Sequence, residues 1–168
     1  MEFHSCAFFS APTNIHSAMA STLMQHQKLK RPLEAVLQFL YRSGVRYYMT
    51  ACATPEDLLY AETVLLLSKQ AYFREMNLIC ILPKPAQDLH PDRRLRKILH
   101  KSSRTLSLDS MEACHGYMQE NAQFFVALYH RLTQEPSELT NLIQQARTHR
   151  RTIYLIDPNS FQISSDDT

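Results

Sequence analysis

Glycine is what this sequence lacks. Gly44 and Gly116 are the two glycines among 168 residues, where average usage of roughly 7% would give about 12. Glycine lets a backbone approach a phosphate closely or turn left-handed without a Cβ in the way. A chain so poor in it cannot carry a P-loop, a G-x-G-x-x-G turn or a G-x-S-x-G elbow, so those nucleotide and hydrolase classes are excluded in their motif-bearing forms. A surplus of one charge is lacking too: a net charge of +2 steers no polyanion, and every electrostatic argument is local. No apolar run is long enough to span a bilayer, and Met1 is not followed by the charged and apolar regions of a secretory leader. The cysteines, Cys6, Cys52, Cys80 and Cys114, form no C-x-x-C pair, and adjacent Cys114 and His115 have no second ligand pair at zinc spacing. They are read as buried, reduced thiols of a cytoplasmic protein, and neither a metal nor a cofactor is expected.

What is there is a regular alternation. Short apolar runs at 3–10, 45–52, 77–82, 104–108, 123–129 and 152–156 read as strands, several so continuously apolar that both faces should be covered. Between them the period lengthens. Leu33, Val36, Leu37 and Leu40 recur at i, i+3, i+4 and i+7, as do Leu139, Leu142, Ile143 and Ala146, with a further stripe at Leu58, Ala61 and Leu65. Thr54, Pro55 and Asp57 read as the capped start of a helix, Asp109 with Glu112 as a second start, and Gly44 as a helix stop. Pro32 divides or kinks the first helical region, 17–43.

These elements predict an α/β fold, a Rossmann-like three-layer sandwich with a mostly parallel sheet of about six strands, too few for a barrel. A single domain over 1–168 is expected, with 159–168 a frayed tail. In such a sheet ligands bind beyond the carboxyl ends of the strands, near a topological switch point. The search therefore narrows to the loops at 10–14, 50–57, 83–87 and 130–137.

The order of elements, Gly44-Val45, the segment 50–62 ending in Asp57-Leu-Leu-Tyr-Ala-Glu62, the turn Ile81-Leu82-Pro83-Lys84-Pro85-Ala86-Gln87, and Ile153-Tyr-Leu-Ile-Asp157-Pro158 resemble the SLOG superfamily. The nearest branch is the YpsA-like one, Rossmannoid proteins related to the Smf/DprA and LONELY GUY groups, and the likeness spans about residues 3–158. It implies binding of nucleotides or nucleotide-derived ligands at the strand ends, and it makes Asp57 and Glu62 candidate ligand-site residues. Where the family has glycine-rich turns, this chain has Thr50-Ala51-Cys52-Ala53-Thr54-Pro55-Glu56 and Thr133-Gln134-Glu135-Pro136-Ser137-Glu138. Acids also stand at these helix starts, where free N–H groups would otherwise attract phosphate. The expectation is a weakened or remodelled phosphate site.

Candidate ligand-binding residues are Ser10, Thr13, Asn14, Thr50, Thr54, Asp57, Glu62, Lys84, His130 and Arg131. Each has a plainer role. Thr54 with Asp57 is a sufficient capping pair, Glu62 lies five residues on and turns aside, Ser10, Thr13 and Asn14 suit turn bonds, and Lys84, His130 and Arg131 suit plain surface charge. No catalytic residue is assigned. The basic run of Arg93, Arg94, Arg96, Lys97, Lys101 and Arg104 is interleaved with Leu95, Ile98 and Leu99, so it reads as the wet face of a helix rather than a nucleic-acid footprint. The preferred reading is a non-enzymatic protein that binds a nucleotide-derived small molecule, does not enter a membrane, and pairs with itself. The alternatives are a phosphoribohydrolase or nucleosidase, and an interaction or regulatory protein that keeps only the scaffold, with Met111, Cys114 and Met118 as a core or dimer face.

Overall fold

A computed structural model describes residues 4–10, 19–84, 92–129 and 138–166. The strands are β1 (His4–Ser10), β2 (Val45–Thr50), β3 (Asn77–Pro83), β4 (Arg104–Leu108), β5 (Phe124–Leu128), β6 (Thr152–Ile156) and β7 (Ile163–Asp166). The helices are α1 (Met19–Arg42), α2 (Pro55–Ser68), α3 (Arg93–Lys101), α4 (Met111–Asn121) and α5 (Glu138–Thr148), with a 3-10 turn at Ala71–Phe73.

All seven strands share one sheet in the order β4-β3-β2-β1-β5-β6-β7. Every pair is parallel except β6 with β7. The chain winds outward from β1 to β4, then crosses back and resumes on the other side of β1 with β5. The winding reverses between β1 and β5, where Ser10 lies in register with Leu128. That is the switch point.

Successive residues of a strand point to opposite faces, so β1, β2, β3, β5 and β6 each feed two cores. Cys6 and Phe8 enter the layer shared with Leu33, Leu37, Tyr60, Val64 and Ile98 of α1, α2 and α3. Ala7 and Phe9 enter the layer shared with Cys114, Met118, Leu139 and Ile143 of α4 and α5. The sandwich has three layers, as the continuously apolar strands predict. α2 is buried almost all round, at Leu58, Leu59, Tyr60, Ala61, Thr63, Val64 and Leu67, because it packs between α1 and α3 as well as on the sheet. The Phe8 and Tyr60 rings stack beneath it, centroids 4.5 Å apart.

Several expectations change in detail. The sheet has seven strands rather than six, because residues in the expected tail pair with β6. The turn that returns the chain is written in Asp157-Pro158-Asn159: the Asp157 carboxylate accepts from the N–H groups of Asn159 (2.7 Å) and Ser160 (3.2 Å), and Phe161 turns left-handed at φ 60°. Of the two forms expected around Pro32, α1 takes that of one continuous helix rather than two pieces. The cap of α4 is Ser110, whose hydroxyl accepts from Ala113 N–H at 3.1 Å, while Asp109 pairs with Lys84 instead. Cys114 and Met118 are fully buried against the sheet, so that stripe is core and not a dimer face. The basic run behaves as its pattern predicts, with Leu95 and Ile98 buried under an exposed cationic face. Gly44 ends α1 at φ 100°.

Candidate functional site

The carboxyl ends of β1 and β2 meet the start of α2, and three of the predicted residues converge there. Thr54 caps α2: its hydroxyl accepts from Asp57 N–H at 3.0 Å, and the Asp57 carboxylate returns to Thr54 N–H at 3.3 Å, completing a capping box behind Pro55. Asp57 Oδ2 also accepts from Ala53 N–H at 2.9 Å, and Oδ1 from the Ser10 hydroxyl at 2.9 Å. Ser10 Oγ stands 2.5 Å from Thr54 Oγ1. Because the single Ser10 proton is directed at the carboxylate, the proton between the two hydroxyls comes from Thr54. The result is a closed relay, Thr54 to Ser10 to Asp57, that ties the end of β1 to α2.

Asp57 is 4% exposed. Burial raises its carboxyl above the usual range, against the opposing pull of hydrogen bonds from Ala53, Ser10 and Thr54. Thr50 is wholly buried and its hydroxyl accepts from Cys52 N–H at 3.2 Å. Cys52 itself sits at φ 52°, the left-handed region that glycine favours. The resemblance puts a glycine-rich turn here; this chain makes the turn with a cysteine. Its thiol is held well above the usual range by the adjacent Cys80 thiol and by burial.

Other predicted residues are not brought in. Glu62 forms a two-pronged ion pair with Arg94 of α3, through Oε1 to Nε and through Oε2 to Nη2 at 3.0 Å, in the groove between α2 and α3. Lys84 Nζ is 3.0 Å from Asp109 Oδ1 on the open surface. Thr13, Asn14, His130 and Arg131 lie outside the described residues.

Beside the relay is a crevice of about 350 Å³ at the ends of β2 and β3. Ala51, Cys52, Ala53, Thr54, Pro55 and Leu58 form one wall; Leu82, Pro83, Leu95 and Met111 face them, with Asp92 at the start of α3. The lining is mainly apolar, and among the described residues no lysine or arginine is part of it.

Two residues that sequence reasoning did not select complete this end. Glu56, next to Asp57 in the first turn of α2, is 7% exposed; its Oε1 is 3.8 Å from His26 Nε2, and its Oε2 has no hydrogen-bond partner. Two consecutive acids after Pro55 were a signal, but one of them had to be locked and the other left open, which spacing does not reveal. Among the described residues no group of three or more His, Cys, Asp or Glu side chains stands together to hold a metal ion, and no helix is long and apolar enough to cross a membrane.

Neither a protein-family model nor a curated protein matches this sequence.

Proposed function

We propose that this chain is a non-enzymatic, SLOG-like binding protein of the cytoplasm that takes a nucleoside or another nucleotide-derived molecule at the carboxyl end of its sheet and works as a homo-oligomer. The observation that carries the reading is the crevice of about 350 Å³ beside the Ser10, Thr54 and Asp57 relay. That volume is within the range of small-molecule sites, and an apolar lining with a few polar groups at the edge suits a flat base and a sugar. The acidic start of α2 and the Asp92 carboxylate, with no cationic lining group among the described residues, disfavour phosphate. With Asp57 committed to Ser10, Ala53 and Thr54, that carboxylate holds the turn in shape rather than performing chemistry.

A thermal-shift and calorimetric series of nucleosides, nucleoside monophosphates, cyclic nucleotides and ADP-ribose derivatives tests the reading. Nucleosides are expected to bind at least as tightly as their monophosphates, and Ala53→Phe, which fills the mouth of the crevice, to weaken them. No response from folded protein to any of these compounds at millimolar concentration overturns it. Sedimentation as a monomer at every concentration removes the homo-oligomer.

One observation favours an enzyme instead. Glu56 is a buried acid with a carboxylate oxygen left without a partner, and N-glycosidic cleavage calls for a carboxyl group beside the leaving base. Release of free base from nucleoside monophosphates, lost in Glu56→Gln, would establish this second reading; no release after prolonged incubation excludes it.

A further inference from the structure

α2 and α3 lie side by side on the sheet, and each turns a stripe of the same spacing to the gap between them. On α2 the stripe is Glu62, Leu65, Leu66 and Lys69; on α3 it is Arg94, Lys97, Ile98 and Lys101, so both run i, i+3, i+4 and i+7. Between them is a groove of about 190 Å³. Ile98 is buried at its base, Leu65 is half-buried, and Leu66 stays 43% exposed. One exposed leucine is ordinary on a protein surface, but this one stands in a recess with two other apolar side chains.

The two ends of the groove differ in charge. Toward the start of both helices Glu62 and Arg94 close it with their two-pronged ion pair, which leaves that end neutral. Along the rest stand Lys97, Lys69 and Lys101, all exposed, whose ammonium groups make no ion pair among the described residues. The carbonyl ends of α2 and α3 carry roughly half a negative charge each, less than three ammonium groups supply. The groove is an apolar slot with an unpaired cationic end.

We propose that this groove docks an acidic segment of another protein, with one leucine- or phenylalanine-sized side chain in the slot and acidic residues against Lys69, Lys97 and Lys101. Size sets the single anchor. A space of about 150 Å³ already takes a benzene ring, whereas sites for whole small molecules run from roughly 300 Å³ upward. Charge sets the acids and the side of the anchor on which they lie. A nucleic acid fits less well, because among the described residues no aromatic side chain lines the groove to stack a base. A lipid surface fits less well too, because the apolar atoms are recessed between two helices, where a side chain enters and a flat bilayer does not. The groove shares no lining residue with the crevice at the ends of β2 and β3, so it stands or falls separately from that site.

The probe is a capped peptide of one leucine followed by four glutamates. In a two-dimensional amide NMR titration of the full chain it is expected to saturate with a dissociation constant on the order of 0.1–1 mM, shifting Leu65, Leu66, Lys97 and Lys101. Serine in place of the peptide's leucine, or glutamine in place of its glutamates, is expected to weaken binding roughly tenfold. Lys69→Gln, Lys97→Gln and Lys101→Gln combined are expected to weaken it by about the same factor; should that variant fail to fold, each single change is expected to weaken it about twofold. Absence of saturation, shifts away from α2 and α3, or equal binding of the serine peptide overturns the proposal. So does displacement of the peptide by oligothymidylate or by phosphatidylserine vesicles at equal charge concentration, which assigns the groove to a nucleic acid or a membrane. The same shifts on concentrating the protein alone would assign it to a second copy of this chain, and overturn the proposal likewise.

Discussion

The Ser10 hydroxyl donates to Asp57 Oδ1 at 2.9 Å, joining the last residue of β1 to the first turn of α2 across 47 positions of sequence. Ser10→Ala leaves a buried carboxylate oxygen without its donor and breaks the relay from Thr54. A loss of about 1–2 kcal/mol in unfolding free energy is expected by chemical denaturation. Asp57→Asn should cost about 2 kcal/mol or more, because one amide oxygen cannot serve Ser10, Ala53 and Thr54 together. Loss of less than a few tenths in both variants would show that the relay does not hold the turn.

The same carboxyl sets a pH dependence. Burial raises the folded-state pKa of Asp57 above its unfolded value of about 3.9, so the native state binds this proton more tightly than the unfolded chain. The stability that follows is fully present below about pH 3.9 and is lost as pH rises through the folded pKa. Relative to wild type, Asp57→Asn should therefore show its largest deficit in acid, shrinking as pH increases. Ser10→Ala removes a hydrogen bond that favours the carboxylate, so it should carry the window to still higher pH. Denaturation curves across the acidic range measure both, and a deficit that grows with pH contradicts the assignment.

The two glycines should respond oppositely to alanine. Gly44 stands at φ 100°, and a side chain there is strained even though its Cβ would meet His4 at an ordinary 3.6 Å; Gly44→Ala should cost about 1–2 kcal/mol. Gly116 lies inside α4, and a Cβ there would meet nothing within 4 Å. Gly116→Ala should stabilise by roughly 0.5–1 kcal/mol. Thermal melts read the two signs directly.

Arg150 gives the converse case. It is exposed and left-handed at φ 55°, so Arg150→Gly should raise stability by about 1 kcal/mol by relieving the Cβ clash of that conformation. No change, or a loss, would mean that its backbone conformation is not the dominant cost at this cap.

Much of the architecture was legible in residue order. Leu33, Val36, Leu37 and Leu40 are all buried because helical spacing alone puts them on one stripe, and Thr54 with Asp57 forms its box because both partners lie within one turn. β7 was not legible: Ser164 and Ser165 carry no apolar signal, and their pairing depends on the Asp157 turn bringing them beside β6. The candidate site divides in the same way. The Thr54 and Asp57 bonds are local, whereas Ser10 reaches Asp57 only through the sheet, and Glu62 is drawn to Arg94 by the docking of α3 on α2.

By itself, then, the sequence determined the alternation of strands and helices, the capped start of α2 and the reversal at Gly44, since propensity, periodicity and short-range hydrogen bonds act within a few residues. The scarcity of glycine also determined that other residues would have to take left-handed turns. Only the tertiary structure decided which ones did: among the described residues, Cys52, Arg150 and Phe161 adopt positive φ. Their surroundings, a buried strand end, a helix C-cap and a hairpin, hold conformations that isolated chain would leave. The same packing closes Arg151 Nε and Gln119 Nε2 from water, because burial of a polar atom is a property of the neighbours that cover it.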